Sequence, residues 1–280
     1  MAHKPDEPEY ELSVANANLL FRFSRPICVV QPTTPKQIQV IVQQARSQNI
    51  SITVKGGGHS YIGASSTDKG ILMDLSKMNK VTLDWLTKTM TMEAGALWGK
   101  AYRELIEGRY DGWMVNGGRC PPVGTAGFIL GGGIGPFTRT LGMGSDSLIE
   151  ATLVTADGSI VTVSGNDDPA SDNSKLFWAL RGAGAGNFGI VVEMKIRVHK
   201  LKNRDGNVVA GQYTWYPPPE STKLLRTTMT KFYTADWPDE MTIDSSWVWD
   251  LRDDNKRLGI RFTRKFRSFA TIESFLLIIY

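Results

Sequence analysis

Cysteine and histidine are scarce in this chain of 280 residues. It contains 2 cysteines, Cys28 and Cys120, and 3 histidines, His3, His59 and His199. Two cysteines exclude a disulfide framework, and none of the histidines has a second histidine or a cysteine at the spacing of a zinc site. We therefore expect no metal site and no disulfide-rich fold.

An excess of one charge and long apolar runs are also missing. The 32 lysines and arginines nearly balance the 28 aspartates and glutamates, so the charge is too weak and dispersed to indicate nucleic-acid binding. No apolar run reaches about 18 residues, so we expect no contact with a membrane. A basic cluster alternates with phenylalanines and is typical of the solvent face of a strand: Arg261, Phe262, Arg264, Lys265, Phe266 and Arg267.

Neither end of the chain carries a recognisable signal. Residues 1–10 are acidic and contain proline, whereas a secretory signal is basic and then apolar. Cytoplasmic localisation is the default, and secretion stays open if the N-terminus is incomplete.

Residues 275–280 form an apolar run with no turn or polar exit, and such a run normally packs against a segment that follows it in the chain. We therefore expect a truncated protein.

The remaining composition is that of a folded protein. Hydrophobic residues make up 41% and charged residues 21%, close to the globular averages of about 45–50% and 25%. We predict an N-terminal segment, 1–21, a main domain, 22–202, and a second domain, 203–280, with the boundary in the polar stretch 203–207. Alternation and helical periodicity predict helices at 36–48, 97–106 and 176–180, and strands at 50–54, 71–75, 81–84, 89–93, 190–198, 208–216, 243–249 and 258–266.

A β-hairpin is predicted over residues 151–164. Two alternating runs are joined there by Asp157 and Gly158, a pair that tolerates the positive φ angles of a tight turn.

Glycine is concentrated in three loops, at 56–58, 117–144 and 182–189. The third contains the string G-x-G-x-x-G, from Gly184 to Gly189, which marks a dinucleotide site when it follows a strand and opens a helix. Here a predicted helix precedes it and a predicted strand follows. An NAD-dependent dehydrogenase is therefore the less favoured alternative, although the loop could still act as an anion-binding nest.

His59 and Cys120 each stand beside one of these loops. Backbone N–H groups next to His59 can reach a phosphate without a Cβ in the way, but a single histidine is more often structural. Arg119 would favour the Cys120 thiolate and the two following prolines would fix the backbone, but a single cysteine is usually a buried hydrophobe. Neither residue decides a function alone.

Read together, three segments resemble the berberine bridge enzyme-like FAD-linked oxidases of the vanillyl-alcohol oxidase superfamily. The first is GGGHSY at 56–61, followed by LMDLSKMN at 72–79. The second is GRCPPVG at 118–124, continuing into GFILGGGIG at 127–135, and the third runs from LFWALRG at 176–182 to NFGIV at 187–191. In this order and with these gaps the strings are highly specific, and they cover about residues 22–201.

The resemblance implies a bicovalently bound FAD. His59 matches the histidine bonded to the methyl carbon of the flavin, and Cys120 matches the cysteine bonded to the adjacent ring carbon. It further implies that backbone groups cradle the pyrophosphate and line the rest of the cofactor, at Gly56, Gly57, Gly58, Ser60, Gly124, Gly127, Gly132, Asn187, Gly189, Ile190 and Val191.

Two further positions acquire meaning from the resemblance. Val123 matches the position that gates oxygen near the flavin, where valine goes with oxidase behaviour. Lys55 stands where the family usually has arginine. The bidentate hydrogen bonding of a guanidinium group is therefore replaced by the compact charge of an ammonium group.

The resemblance also implies a fold and an activity. We expect an α+β, PCMH-type FAD-binding domain of two α+β subdomains, followed by an incomplete substrate domain made of an antiparallel sheet and helices. The activity would be hydride removal from an alcohol, amine or similar small organic donor, with molecular oxygen as acceptor and hydrogen peroxide as product. A catalytically impaired flavin-binding fragment is the alternative, because the family's tyrosine-containing base region is missing from this chain. No catalytic residue, substrate or oligomeric state is assigned.

Overall fold

The computed structural model of the chain describes residues 1–202, 206, 208–249, 251 and 257–266. It divides into two compact units, Met1–Gly135 with Gly142–His199, and Pro136–Leu141 with Lys200–Tyr280. Residues 1–21 lie within the first unit. Most of the predicted boundary at 203–207, and the apolar run at 275–280, fall outside the described residues, so the domain limits stay a prediction.

Helices are interspersed with groups of short strands along the chain. In chain order they are β1 (Ala2–His3), α1 (Pro8–Val14), β2 (Cys28–Val30), α2 (Pro35–Ser47), β3 (Ile52–Lys55), β4 (Ile71–Asp74), β5 (Val81–Asp84), β6 (Thr89–Glu93), α3 (Trp98–Glu107), β7 (Trp113–Met114), α4 (Thr125–Leu130), α5 (Thr138–Leu141), β8 (Leu148–Val154), β9 (Ile160–Ser164), α6 (Asp172–Leu180), β10 (Ile190–Arg197), β11 (His199–Lys200), β12 (Val209–Trp215), α7 (Thr222–Thr234), β13 (Thr242–Trp249) and β14 (Leu258–Phe266).

A four-stranded sheet forms the first half of the first unit. Its order is β1-β2-β4-β3, with β4 parallel to both β2 and β3, and β1 antiparallel to β2. The connection from β2 to β3 runs through α2, whose first turn contains Pro35 and whose cap residue, Thr34, accepts a hydrogen bond from the N–H of Gln37 at 3.3 Å. This agrees with the helix predicted at 36–48.

A five-stranded antiparallel sheet forms the second half. Its order is β5-β6-β10-β8-β9. The predicted hairpin is confirmed between β8 and β9, where Gly158 has a φ of 86°. Asp157 stabilises this turn, since its carboxylate accepts hydrogen bonds from the Thr155 hydroxyl at 2.5 Å and the Ser159 N–H at 3.0 Å, and these bonds lower its pKa to about 2.

One continuous hydrophobic core joins the two sheets of the first unit. It includes Ile38 from α2, Met73 from β4, Met92 from β6, Trp98 from α3 and Met194 from β10, all of which are 0% exposed. Helices pack with both sheets in this core, so the predicted α+β class is confirmed.

The second unit contains a three-stranded antiparallel sheet of order β12-β14-β13 together with α7. Phe262 of β14 is buried with Phe232 of α7, while Arg261 is only partly buried. The strand predicted at 258–266 is thus confirmed. The side chains of residues 264–267, which complete the predicted basic cluster, lie outside the described part of the chain.

Among the described residues, none of the helices has both the length and the apolar character that crossing a membrane demands. The same residues hold no group of three or more His, Cys, Asp or Glu side chains able to bind a metal ion.

Candidate cofactor site

A cavity of about 690 Å³ opens in the first unit, within the range of about 300–1,000 Å³ that is usual for small-molecule and cofactor sites. Several regions of the sequence form its wall, among them the last turns of α2, the loop after β3, the residues around α4, the turn between β8 and β9, and the loop before β10. Of the predicted cofactor residues, those on this wall are Gly56, Gly57, Gly58, His59, Ser60, Gly124, Gly127, Asn187, Gly189, Ile190 and Val191.

The first and second glycine loops touch through their backbones. A Cβ atom on Gly57 would collide with the backbone nitrogen of Gly124, and a Cβ on Gly124 would lie 2.5 Å from the nitrogen of Gly57. Real Cβ atoms do not approach so closely, so both positions require glycine. The wall here is bare main chain because a side chain on either loop would push the loops apart.

Gly127 is free of such constraints. It lies in α4 on the cavity wall, and a Cβ atom at this position would meet nothing within 4 Å among the described residues. Glycine weakens a helix relative to alanine, so its presence here is not explained by packing. The residues therefore fit a dinucleotide such as FAD, with bare backbone for the diphosphate and apolar side chains for the ring system.

His59 is half-buried on the cavity wall. It follows β3, whose parallel pairing with β4 brings the loop to the carboxyl end of the strands, where ligands of α/β sheets commonly bind. Within the described residues its imidazole has no hydrogen-bond partner. Both ring nitrogens are therefore available to a ligand.

Cys120 is an exposed free thiol and is not on the cavity wall. Val123 is on that wall. The N–H of Val123 donates to the carbonyl of Cys120 at 3.1 Å, so the two residues close one turn across Pro121 and Pro122. The thiol is thus separated from a cavity-lining side chain by a single turn, and its link to FAD stays a prediction.

Gly132 is the other predicted cofactor residue that does not line the cavity. It has a φ of 92°, and its carbonyl accepts a hydrogen bond from the N–H of Ser145 at 2.9 Å. The positive φ and this bond assign Gly132 to a turn that holds two loops together. Its predicted contact with the cofactor stays untested.

Lys55 does not line the cavity either. The residue is buried, and its ammonium group donates to the carbonyls of Ser13 at 2.5 Å and Ala15 at 3.0 Å. Burial lowers the pKa of Lys55, and the nearby charge of Asp74 opposes that shift. The ammonium group of Lys55 therefore connects the end of α1 to the start of the first glycine loop.

The third glycine loop has the order of elements that the sequence predicted. It follows α6 and leads into β10, the reverse of the strand and helix that flank a dinucleotide fingerprint. Gly189 has a φ of 137°, and a Cβ there would lie 2.6 Å from the carbonyl oxygen of Val154. The loop thus packs tightly against β8, and nothing in its context favours a nicotinamide site.

Several residues on the cavity wall are not among the cofactor residues predicted from the sequence. The most informative is Arg46 in the last turn of α2, the only charged side chain on the cavity wall in the described part of the chain. Thr53, Thr155 and Ala156 also line the cavity. No local motif marks these positions, because they come from a helix, a strand and a hairpin that only packing brings together.

Comparison with known proteins agrees with this geometry. The FAD binding domain family matches residues 26–164. The chain is 31% identical over 225 residues to (R)-6-hydroxynicotine oxidase from Paenarthrobacter nicotinovorans, covering 80% of this chain and 46% of that protein. It is 36% identical over 195 residues to glucooligosaccharide oxidase from Sarocladium strictum, covering 69% and 37%. The structure of BBE-like 1 from Physcomitrella patens aligns with a TM-score of 0.81 and 28% identity, covering 100% of this chain and 56% of that one.

The fold and the site define an FAD-binding protein of the PCMH type. The chain belongs to the berberine bridge enzyme-like family of FAD-linked oxidoreductases. It spans less than half the length of the curated relatives described here.

Proposed function

We propose that this chain is the flavin-holding part of an oxidase that takes a hydride from an alcohol, amine or similar small organic donor. The observation that carries the proposal is the cavity of about 690 Å³, which is walled by three glycine-rich segments and has His59 on its surface. Support for the donor class comes from the relatives, whose names are those of oxidases of a hydroxylated nicotine and a glucooligosaccharide.

Each part of the wall has a task in this proposal. The N–H groups of Gly56, Gly57 and Gly58 would bind the diphosphate, because backbone donors suit charge that is spread over several oxygens. His59 would attach the ring at one carbon and Cys120 at the adjacent one. Two attachments would hold the ring against Val123, whose side chain would control the approach of oxygen.

When bound, FAD would accept a hydride from the carbon of the donor and pass two electrons to oxygen, which leaves as hydrogen peroxide. The proton of the donor's O–H or N–H group must leave at the same time, and a positioned base typically accelerates such a step by about 10²–10⁴-fold. We assign no residue of this chain to that role.

The test combines colour with mass. We expect yellow protein whose flavin absorbance stays with the polypeptide after acid precipitation, and an intact mass that includes FAD. His59→Ala and Cys120→Ala should each remove one attachment, and Cys28→Ala should remove none. Colourless protein with the bare polypeptide mass, obtained with riboflavin in excess, would overturn the proposal. Peroxide release on addition of alcohol or amine donors then tests the activity.

A further inference from the structure

The first two turns of α3 hold the loop that carries Cys120. The N–H of Trp98 donates to the carbonyl of Val123 at 3.0 Å, and the N–H of Gly99 donates to the carbonyl of Pro121 at 2.8 Å. The hydroxyl of Tyr102 donates to the carbonyl of Gly118. The loop is therefore bound on both sides of the cysteine.

These three bonds differ in how they depend on sequence. The two N–H groups belong to the start of a helix, which leaves its first four N–H groups without partners inside the helix. These bonds need no side chain, although a Cβ at Gly99 would lie 3.1 Å from the Cβ of Pro121. The bond to Gly118 needs a long side chain with a hydroxyl at its end. The side chain of Tyr102 thus holds the Cys120 loop on the N-terminal side of the cysteine.

Packing keeps the Tyr102 ring in place. The ring stacks on Trp98 with centroids 5.8 Å apart and an interplanar angle of 18°. Trp98 is completely buried and makes an edge contact with Phe128, with centroids 5.2 Å apart. Since Phe128 lines the cavity, a continuous row of aromatic rings joins the cavity wall to the residue that holds the loop.

The surroundings keep the Tyr102 hydroxyl protonated. Burial raises the pKa of Tyr102, and the nearby Cys120 raises it further. The phenol therefore keeps its proton and remains a donor over the whole pH range in which a thiol ionises. The hydrogen bond to Gly118 thus persists when Cys120 becomes a nucleophile.

We propose that Tyr102 is a positioning residue that directs the Cys120 thiol to FAD for the second covalent attachment. This inference rests on the function proposed above. Forming that attachment replaces an S–H bond of the protein and a C–H bond of the flavin ring by one C–S bond. Two protons and two electrons are released, and molecular oxygen accepts them to give hydrogen peroxide.

The test is Tyr102→Phe, which keeps the stacked ring and removes only the hydroxyl. Flavin-free protein is incubated with FAD in air, and the two attachments are followed by intact mass and peptide mapping. The first attachment adds the mass of FAD less two hydrogens, and the second attachment of the same FAD removes two further hydrogens. We expect the attachment at Cys120 to form about five to ten times more slowly than in the unaltered chain, while the attachment at His59 keeps its rate. Tyr110→Phe is the matched control, because that ring stacks on Trp85 at 4.1 Å and makes no hydrogen bond to the loop.

Hydrogen–deuterium exchange of residues 118–123 and the Tm separate positioning from a general structural role. Selective slowing at Cys120 with faster exchange of the loop supports the inference. Equal slowing at His59 and Cys120, or a lower Tm with unchanged attachment rates, overturns it. Unchanged rates at both residues in Tyr102→Phe overturn this inference alone, whereas an unaltered chain that never attaches FAD overturns the proposed function as well.

Discussion

Gly57 and Gly124 lie back to back across the boundary between two glycine loops, so that a Cβ on Gly124 would stand 2.5 Å from the nitrogen of Gly57. This contact fixes the loop carrying His59 against the start of α4. The two glycines are 67 positions apart in the sequence, and each is required by the presence of the other. Their contact sets the spacing of the cavity wall.

We expect Gly57→Ala to lower the free energy of unfolding by about 1–3 kcal/mol, the usual cost of forcing extra atoms into packed structure. The added methyl would collide with the backbone of Gly124, which cannot move as a side-chain end can. Urea unfolding of the flavin-free protein measures the change. Gly165→Ala is the control, since its nearest contact would be an ordinary 3.4 Å; equal stability of the two variants would contradict the prediction.

Gly127→Ala should separate folding from binding. The new methyl would meet no protein atom within 4 Å, and alanine favours a helix over glycine by about 0.5–1 kcal/mol, so the Tm should stay level or rise. FAD affinity should fall, because the methyl would occupy the cavity. Titration with FAD in a His59→Ala, Cys120→Ala background measures this affinity without covalent attachment. Unchanged affinity would show that the cofactor does not approach α4.

Arg46→Gln should weaken FAD binding by about tenfold, the usual loss when a hydrogen bond to a charged group is removed. Arg46 is the only charged side chain on the cavity wall among the described residues, and FAD carries a negatively charged diphosphate. The affinity of the variant should also depend less on salt. Arg103→Gln, at an exposed position of α3 beside Glu107, should change neither quantity. Equal effects of both variants would point to the net charge of the protein instead.

Val123→Leu tests the proposed oxygen gate. Val123 lines the cavity one turn after Cys120, and a larger side chain should slow reoxidation of the reduced flavin by air. Stopped-flow absorbance measures reoxidation separately from reduction by a chemical reductant, which should keep its rate. An unchanged reoxidation rate in the fully flavinylated variant would show that Val123 does not control the access of oxygen to the flavin.

Glu193→Gln should stabilise the protein at neutral pH. Desolvation raises the pKa of Glu193 above its ordinary value of 4.5 although the residue is exposed, and the carboxylates of Glu93 and Glu150 raise it further, while Lys195 and Lys80 oppose the shift. Glu93 is its direct cross-strand partner. Since the folded-state pKa lies above the unfolded one, ionisation costs stability as the pH rises through the folded value, and the cost is absent below the unfolded value.

The Tm advantage of Glu193→Gln should therefore be present at pH 7 and vanish below about pH 4.5. Thermal unfolding across this range measures it, and Glu9→Gln in the exposed face of α1 is the control. A constant difference at all pH values would mean that packing, and not charge, separates the variants.

The sequence allowed much of the fold to be predicted where the determining chemistry is local. The turn at Asp157 and Gly158 needs only a carboxylate acceptor and a residue with positive φ, so the hairpin was readable from neighbouring residues. The helix at 36–48 was equally readable from its apolar period and from Thr34 and Pro35 at its start. The predicted strands 81–84 and 89–93 coincide with β5 and β6.

The candidate site was only partly readable, because side-chain direction depends on packing. Glycine runs marked the loops of the cavity, but the same composition occurs at Gly132, where the backbone serves a turn. Lys55 adjoins the first loop in sequence, yet its ammonium group points to the carbonyls of Ser13 and Ala15. Arg46 reaches the wall from a helix with no cofactor motif.

The amino-acid order by itself determined the hairpin, the helix at 36–48, the strands at 81–84 and 89–93, and the positions of the glycine loops, since each depends on residues close together in the chain. Tertiary structure alone decided that Gly57 meets Gly124, that Arg46 lines the cavity and that Tyr102 holds the loop of Cys120. The physical reason is that these contacts join segments far apart in sequence, and only burial of the shared core brings those segments together.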